Sequence, residues 1–121
     1  MANVLIVDDS KTSRRILKGI LEECGYEIAG EAENGEDGYL KYKEIKPDIV
    51  TMDITMPKMD GIECLKVIKH YHAEAKIIMV TAAGQKDKML EAVKNGASEF
   101  ITKPFEKNDI AKALEKVSKE G

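Results

Sequence analysis

The 121-residue chain has only two cysteines, Cys24 and Cys64, and no CxxC pair. Both occupy small apolar positions in helical patterns, so reduced thiols are expected and a redox role is not. No apolar run approaches the roughly 20 residues that a membrane-spanning helix needs. The opening MANVLIVDDS lacks a basic leader, and its apolar run from Val4 to Val7 is too short for a signal peptide, which points to the cytoplasm. Lysine and arginine are scattered and the net charge is −3, which leaves no basic footprint for nucleic acid. Neither a P-loop nor a GxGxxG glycine loop occurs, which argues against a small-cofactor binder. The two histidines, His70 and His72, stand two residues apart at a helix end. They face different ways and read as solvated or dipole-complementing side chains, not as a metal pair.

What is present is 43% hydrophobic and 34% charged sequence, in a length suited to one core. A single domain over residues 1–121 is expected. Five β-type runs, NVLIV, YEIAGEA, DIVTMD, KIIMVTA and SEFITK, alternate with helical patterns, which predicts an α/β fold with helices on both faces of a parallel sheet. Glu27, Glu31 and Glu99 mark the second and fifth runs as the sheet edges. The first helix places Ile16, Leu17, Ile20, Leu21 and Cys24 on its apolar face, Arg14, Lys18 and Glu22 off it, and stops at Gly25. The second, about Gly35 to Ile45, is weakened by Gly38 and closed by Pro47. Ile62, Leu65 and Ile68 mark the third helix. Met89, Ala92 and Val93 mark the fourth, ended by Asn95 and Gly96, and Ile110, Leu114 and Val117 the fifth.

In an open parallel sheet the functional groups gather at the carboxyl ends of the strands. Asp8 and Asp9 end the first run, Asp53 the third and Thr81 the fourth, and Lys103 follows the fifth. Each has an ordinary explanation by itself: Asp8-Asp9 as a helix cap, Asp53 as a turn former, Thr81 as a strand hydroxyl, Lys103-Pro104 as a strand end. Their coincidence has none. Three carboxylates at one rim repel unless a divalent cation and an ammonium neutralise them, and Mg²⁺, hard and content to keep several waters, suits oxygen ligands.

VLIVDDS, DIVTMDITMPKMDG, IIMVTAAG and FITKPF, in this order and at these spacings, resemble the receiver domain of bacterial response regulators, most of all its stand-alone chemotaxis members. The resemblance covers essentially the whole chain. It implies a flavodoxin-like doubly wound sheet in the order 2-1-3-4-5. It implies that Asp53 accepts a phosphoryl group from a histidine kinase, and that Asp8, Asp9, Asp53 and the Thr55 main-chain carbonyl hold Mg²⁺. Lys103 is then expected to pair first with Asp53 and later with a phosphoryl oxygen, Thr81 to donate its hydroxyl to another, and the bond before Pro104 to be cis. Phe100 stands where chemotaxis regulators usually have tyrosine, so an output contact through a tyrosine hydroxyl is in question while rotation of the ring is not. Plain core packing is the competing reading of Phe100.

Thr55 and Ala83 occupy positions that help govern water attack in the family. Neither offers an amide or carboxylate, so slow self-dephosphorylation and a separate phosphatase are expected. The resemblance implies a monomer without enzymatic turnover beyond its own phosphorylation and dephosphorylation. Because the sequence ends soon after the fifth helix, output is expected in trans, from the fourth helix, fifth strand and fifth helix. The partner is either a flagellar motor switch protein or, in a phosphorelay, a histidine phosphotransferase. An aspartate-nucleophile phosphatase of the haloacid-dehalogenase type is a more distant rival, since it needs a second acid where Thr55 stands.

Overall fold

The computed structural model describes residues 2–119; Met1, Glu120 and Gly121, the ends of the expected 1–121 domain, lie outside the described residues. The five β-type runs form β1 (Asn3–Val7), β2 (Glu27–Ala32), β3 (Ile49–Asp53), β4 (Ile77–Thr81) and β5 (Glu99–Thr102). Between and after them come α1 (Lys11–Glu23), α2 (Gly35–Ile45), α3 (Gly61–Tyr71), α4 (Lys86–Lys94) and α5 (Lys107–Ser118). All paired strands are parallel, in the order β2-β1-β3-β4-β5, with a register irregularity between β1 and β2 at Val4/Leu5. The two glutamate-bearing strands are the edges, as their sequences predict.

The pleat sends alternate residues to opposite faces. Leu5, Val7, Val50, Met52 and Met79 join Tyr42 of α2, Leu65 and Ile68 of α3 and Ala92 of α4 in one core cluster. Val4, Ile6, Ile78 and Val80 join Leu17 and Leu21 of α1 and Ile110, Leu114 and Val117 of α5 in the other. Ser10, Asn34 and Asp60 cap α1, α2 and α3 by accepting hydrogen bonds from Ser13, Asp37 and Glu63 main-chain N–H groups. Each cap starts its helix at the carboxyl-end rim.

Three expectations are corrected. On α1, Ile16 is 51% exposed and Arg14 only 8%, the reverse of the predicted faces. Hydrophobicity ranks isoleucine inward, but the guanidinium is drawn under the sheet edge by the Asp8 carbonyl and the Glu31 carboxylate. On α4, Ala92 and Met89 pack inward but Val93 is exposed. His72 lies just beyond α3, where its Nδ1 meets the Tyr42 hydroxyl at 2.8 Å, so it ties α3 to α2 and is not merely solvated. Gly38, which costs α2 intrinsic stability, is explained by packing: a Cβ there would stand 3.0 Å from Val7 Cγ1. Cys64 is fully buried and donates to the Gly35 carbonyl at 3.2 Å, and burial together with the Asp60 charge pushes its thiol up to about 12.

Gly61, the first residue of α3, lies against the main chain of Asp53: a Cβ would sit 2.0 Å from the Asp53 carbonyl oxygen, and backbone cannot yield as a side chain does. The Gly61 N–H also donates to Ile54 O at 2.8 Å. Gly61→Ala is expected to lower unfolding free energy by about 3 kcal/mol, the scale of overpacking. Gly19→Ala, where a Cβ would meet nothing within 4 Å, is expected to raise it by about 0.5–1 kcal/mol through helix propensity. Urea unfolding of the two variants checks both signs; equal effects would refute the contact at Gly61.

Candidate functional site: a carboxylate rim

The parallel sheet brings the five residues singled out from sequence to one edge. Asp8 and Asp9 follow β1, Asp53 closes β3, Thr81 closes β4 and Lys103 follows β5. One carboxylate oxygen from each of Asp8, Asp9 and Asp53 lies within 4.8 Å of the others. Asp8 and Asp53 are buried and Asp9 is exposed. Two deep carboxylates and a shallow one therefore line a mouth that opens outward.

Asp8 is held from several sides. Its Oδ1 accepts from Ser10 N–H at 2.8 Å, its Oδ2 lies 3.0 Å from Lys103 Nζ, and its main-chain carbonyl accepts from Arg14 Nη1 at 2.7 Å. Arg14 Nε in turn donates to Glu31 at 3.0 Å. Lys103 also reaches Asp53 Oδ2 at 3.4 Å, the expected pairing, and its shorter contact is to Asp8. The Lys103–Pro104 peptide is cis. Burial works against the Lys103 ammonium, but hydrogen bonds and charge from Asp8 and Asp53 outweigh it and hold the group above its ordinary value.

Asp53 has the opposite problem. Burial and the Asp8 charge raise its pKa to about 6 despite Lys103, and Asp9 adds to the rise. Such a carboxylate lacks a full countercharge. Oxygens bound to Mg²⁺ at about 2.1 Å stand up to about 4.2 Å apart across an octahedron, so the all-oxygen cluster fits a small hard cation held directly or through water. Asp8, Asp9 and Asp53 could hold it, and the Thr55 carbonyl follows Asp53 by two residues in the same loop.

The remaining residues flank this mouth. The Thr81 hydroxyl is buried and makes a long, 3.4 Å bond to the Ile101 carbonyl of β5. Phe100 is partly buried against the core cluster shared by α2, α3 and α4, which agrees with its packing reading. Ala83 and Thr55 are exposed. Two residues were missed by the sequence reading. Arg14 falls off the apolar face that periodicity predicts for α1, and nothing in that periodicity marks its ties to Asp8 and Glu31. Gln85 joins the loops after β3 and β4: its Oε1 accepts from Ala82 N–H at 2.6 Å and its Nε2 donates to Thr55 Oγ1 at 2.9 Å. The one available signal is a glutamine at an N-cap position, where that side chain is not favoured.

The raised Asp53 pKa fixes a sign. The folded state binds the proton more tightly than the unfolded chain, so the ionised group opposes folding above about pH 6, and this penalty is relieved as pH falls toward the ordinary value of 3.8. With a chelator present, Asp53→Asn is expected to be more stable than the wild type at pH 7.5, by up to about 3 kcal/mol, with the gap closing by pH 4. Denaturant titrations at several pH values check this. A pH-independent gap would mean Asp53 carries no such penalty.

Comparison with known proteins agrees with the geometry. Residues 4–115 match the response regulator receiver domain family. The chain is 54% identical over 116 residues to the chemotaxis protein CheY of Thermotoga maritima, covering 96% of this chain and 97% of that protein. It is 50% identical over 113 residues to CheY of Bacillus subtilis, covering 93% and 94%. The crystal structure of a CheX-CheY-BeF3-Mg complex from Borrelia burgdorferi contains a chain that superposes with a TM-score of 0.92 at 39% identity, covering 97% of this chain and 89% of that one. A sheet ordered β2-β1-β3-β4-β5, three aspartates at its carboxyl edge and this extent of similarity place the chain in the response regulator receiver domain family.

Proposed function

We propose that this protein is a phosphorylation-dependent switch whose acceptor is Asp53, charged by a histidine kinase. The observation that carries the reading is the Asp53 carboxylate: it ends a buried strand, and burial and the Asp8 charge push its pKa up to about 6 despite Lys103 at 3.4 Å. An oxygen of Asp53 attacks the phosphorus of a phosphohistidine in line; the P–O bond forms, the P–N bond breaks, and the imidazole leaves with the electron pair and takes a proton from water. Asp8, Asp9, Asp53 and the Thr55 carbonyl would hold Mg²⁺, which when bound would supply positive charge against the phosphoryl oxygens. Lys103 shifts from the carboxylates to a phosphoryl oxygen, as its compact ammonium allows. The long bond of Thr81 to Ile101 is easily exchanged for another oxygen.

The site performs its own phosphorylation and dephosphorylation and turns over no other substrate. Output passes through α4, β5 and α5, where Leu90 and Val93 are exposed and Phe100 lies at the edge. The partner is the flagellar motor switch, a choice supported by the CheY relatives in chemotaxis. The protein acts as a cytoplasmic monomer, with residues 1–121 working as one receiver domain; among the described residues no helix is long and apolar enough to cross a membrane. A separate phosphatase ends the signal.

Intact-mass measurement after incubation with acetyl phosphate and Mg²⁺ is expected to show one added phosphoryl group, lost in Asp53→Asn and suppressed by a chelator. Undiminished labelling of Asp53→Asn, or equal rates with and without Mg²⁺, would contradict the assignment. Phosphoryl loss is expected to be slow, and Ala83→Glu combined with Thr55→Asn to speed it by about tenfold by orienting water. Following the phosphorylated mass with time, at fixed Mg²⁺ and pH, decides: an unchanged or slower rate in the double variant removes the argument.

A further inference from the structure

Gln85 directly precedes α4, yet its side chain does not cap that helix. It turns back toward the rim instead. Gly84, at φ 85°, adopts a left-handed conformation open to glycine, and so lets the chain reverse between Ala83 and the helix. From there both ends of the carboxamide are used, Oε1 on the Ala82 N–H and Nε2 on the Thr55 hydroxyl. Thr55 follows Asp53 by two residues and Ala82 follows Thr81 by one, while Asp53 and Val80 are partners in the β3–β4 ladder. The carboxamide therefore spans the seam between the two loops that flank the acceptor.

We infer that Gln85 is a positioning residue that latches the rim in its unphosphorylated arrangement. This inference rests on the reading of Asp53 as phosphoacceptor and goes beyond it. The Ala82 N–H directly follows Thr81, which closes β4 beside Asp53, and Gln85 occupies it. An incoming phosphoryl group that draws the Thr81–Ala82 segment toward Asp53 must take that N–H from the carboxamide and break the bridge to Thr55. Both bonds are made only before the change, so they stabilise the resting state and oppose charging of Asp53. Because Gln85 adjoins α4, release of the carboxamide also frees the start of that helix.

The sign of the effect separates a latch from a structural contact. Removing a structural contact weakens the charged state along with the resting state; removing a latch favours the charged state. The probe is beryllium fluoride with Mg²⁺, a phosphoryl mimic that needs no donor chemistry, titrated by NMR. Gln85→Met, similar in length but without hydrogen-bonding groups, is expected to bind it about fivefold more tightly than the wild type, the scale of one net hydrogen bond. Thr55→Val, which releases one end, is expected to give a smaller gain. The double variant should gain no more than Gln85→Met alone, since both changes break one bridge. Hydrogen exchange supplies an independent readout: the Ala82 amide, protected in the resting wild type, should exchange faster in Gln85→Met. If the wild type binds no beryllium fluoride with Mg²⁺, the phosphoacceptor reading falls and the latch with it. If the wild type binds and Gln85→Met binds equally or more weakly, or Thr55→Val and Gln85→Met add independently, the latch alone is refuted.

Discussion

The repulsion among Asp8, Asp9 and Asp53 is the constraint around which the rim is organised. Carboxylate oxygens within 4.8 Å of one another are costly in a partly buried setting, and the surrounding residues reduce that cost without removing it. Lys103 contacts Asp8 and Asp53, the Ser10 N–H bonds Asp8, and Arg14 grips the Asp8 main chain. One ammonium shared between two acids leaves negative charge uncancelled, and burial together with the Asp8 charge still holds the Asp53 pKa up at about 6. A fully neutralised cluster would be more stable and less able to attract a cation. Residual charge at this position is a compromise between folding and reactivity.

Rigidity is distributed unevenly around that charge. Asp53 is fixed at the end of a fully buried strand, and Gly61 brings α3 against its carbonyl, so its main chain has little room to move. The loop after β4 is different: Ala82, Ala83 and Gly84 are exposed, and the Gln85 side chain provides their link to the loop after β3. A fixed carboxylate thus faces an adjustable loop. On the proposed function, charge would change at a stationary atom and the neighbouring segment would move to meet it.

Much of this was legible in the sequence because its signals are local. β-type runs, helix stops and strand-end acids follow from periodicity and from the rule that parallel strands share a functional edge. β2 and β5 were identifiable as edges because glutamates interrupt apolar strands only where solvent is near. The misreadings have another origin. Arg14 and Ile16 exchanged faces because a buried guanidinium is tolerated only through long-range partners, Asp8 O and Glu31, which no helical periodicity encodes. Val93 is exposed because a helix as short as α4, nine residues, needs few anchors, and Ala92 with Met89 already supplies them. Gln85 and His72 act across 30 residues of sequence each, to Thr55 and Tyr42, and only folding makes them neighbours.

The two thiols differ in a way that reaches beyond the rim. Cys24 is partly accessible at the end of α1, whereas Cys64 is sealed between α3 and the start of α2, hydrogen-bonded and held as the neutral thiol. Alkylation requires the thiolate and a path for the reagent, and the closed seam between α2 and α3 denies Cys64 both. Its modification can proceed only through molecules in which that seam has opened. The buried sulfur is therefore a built-in clock for local opening, with the more accessible Cys24, on the opposite face of the sheet, as the internal reference for reagent strength.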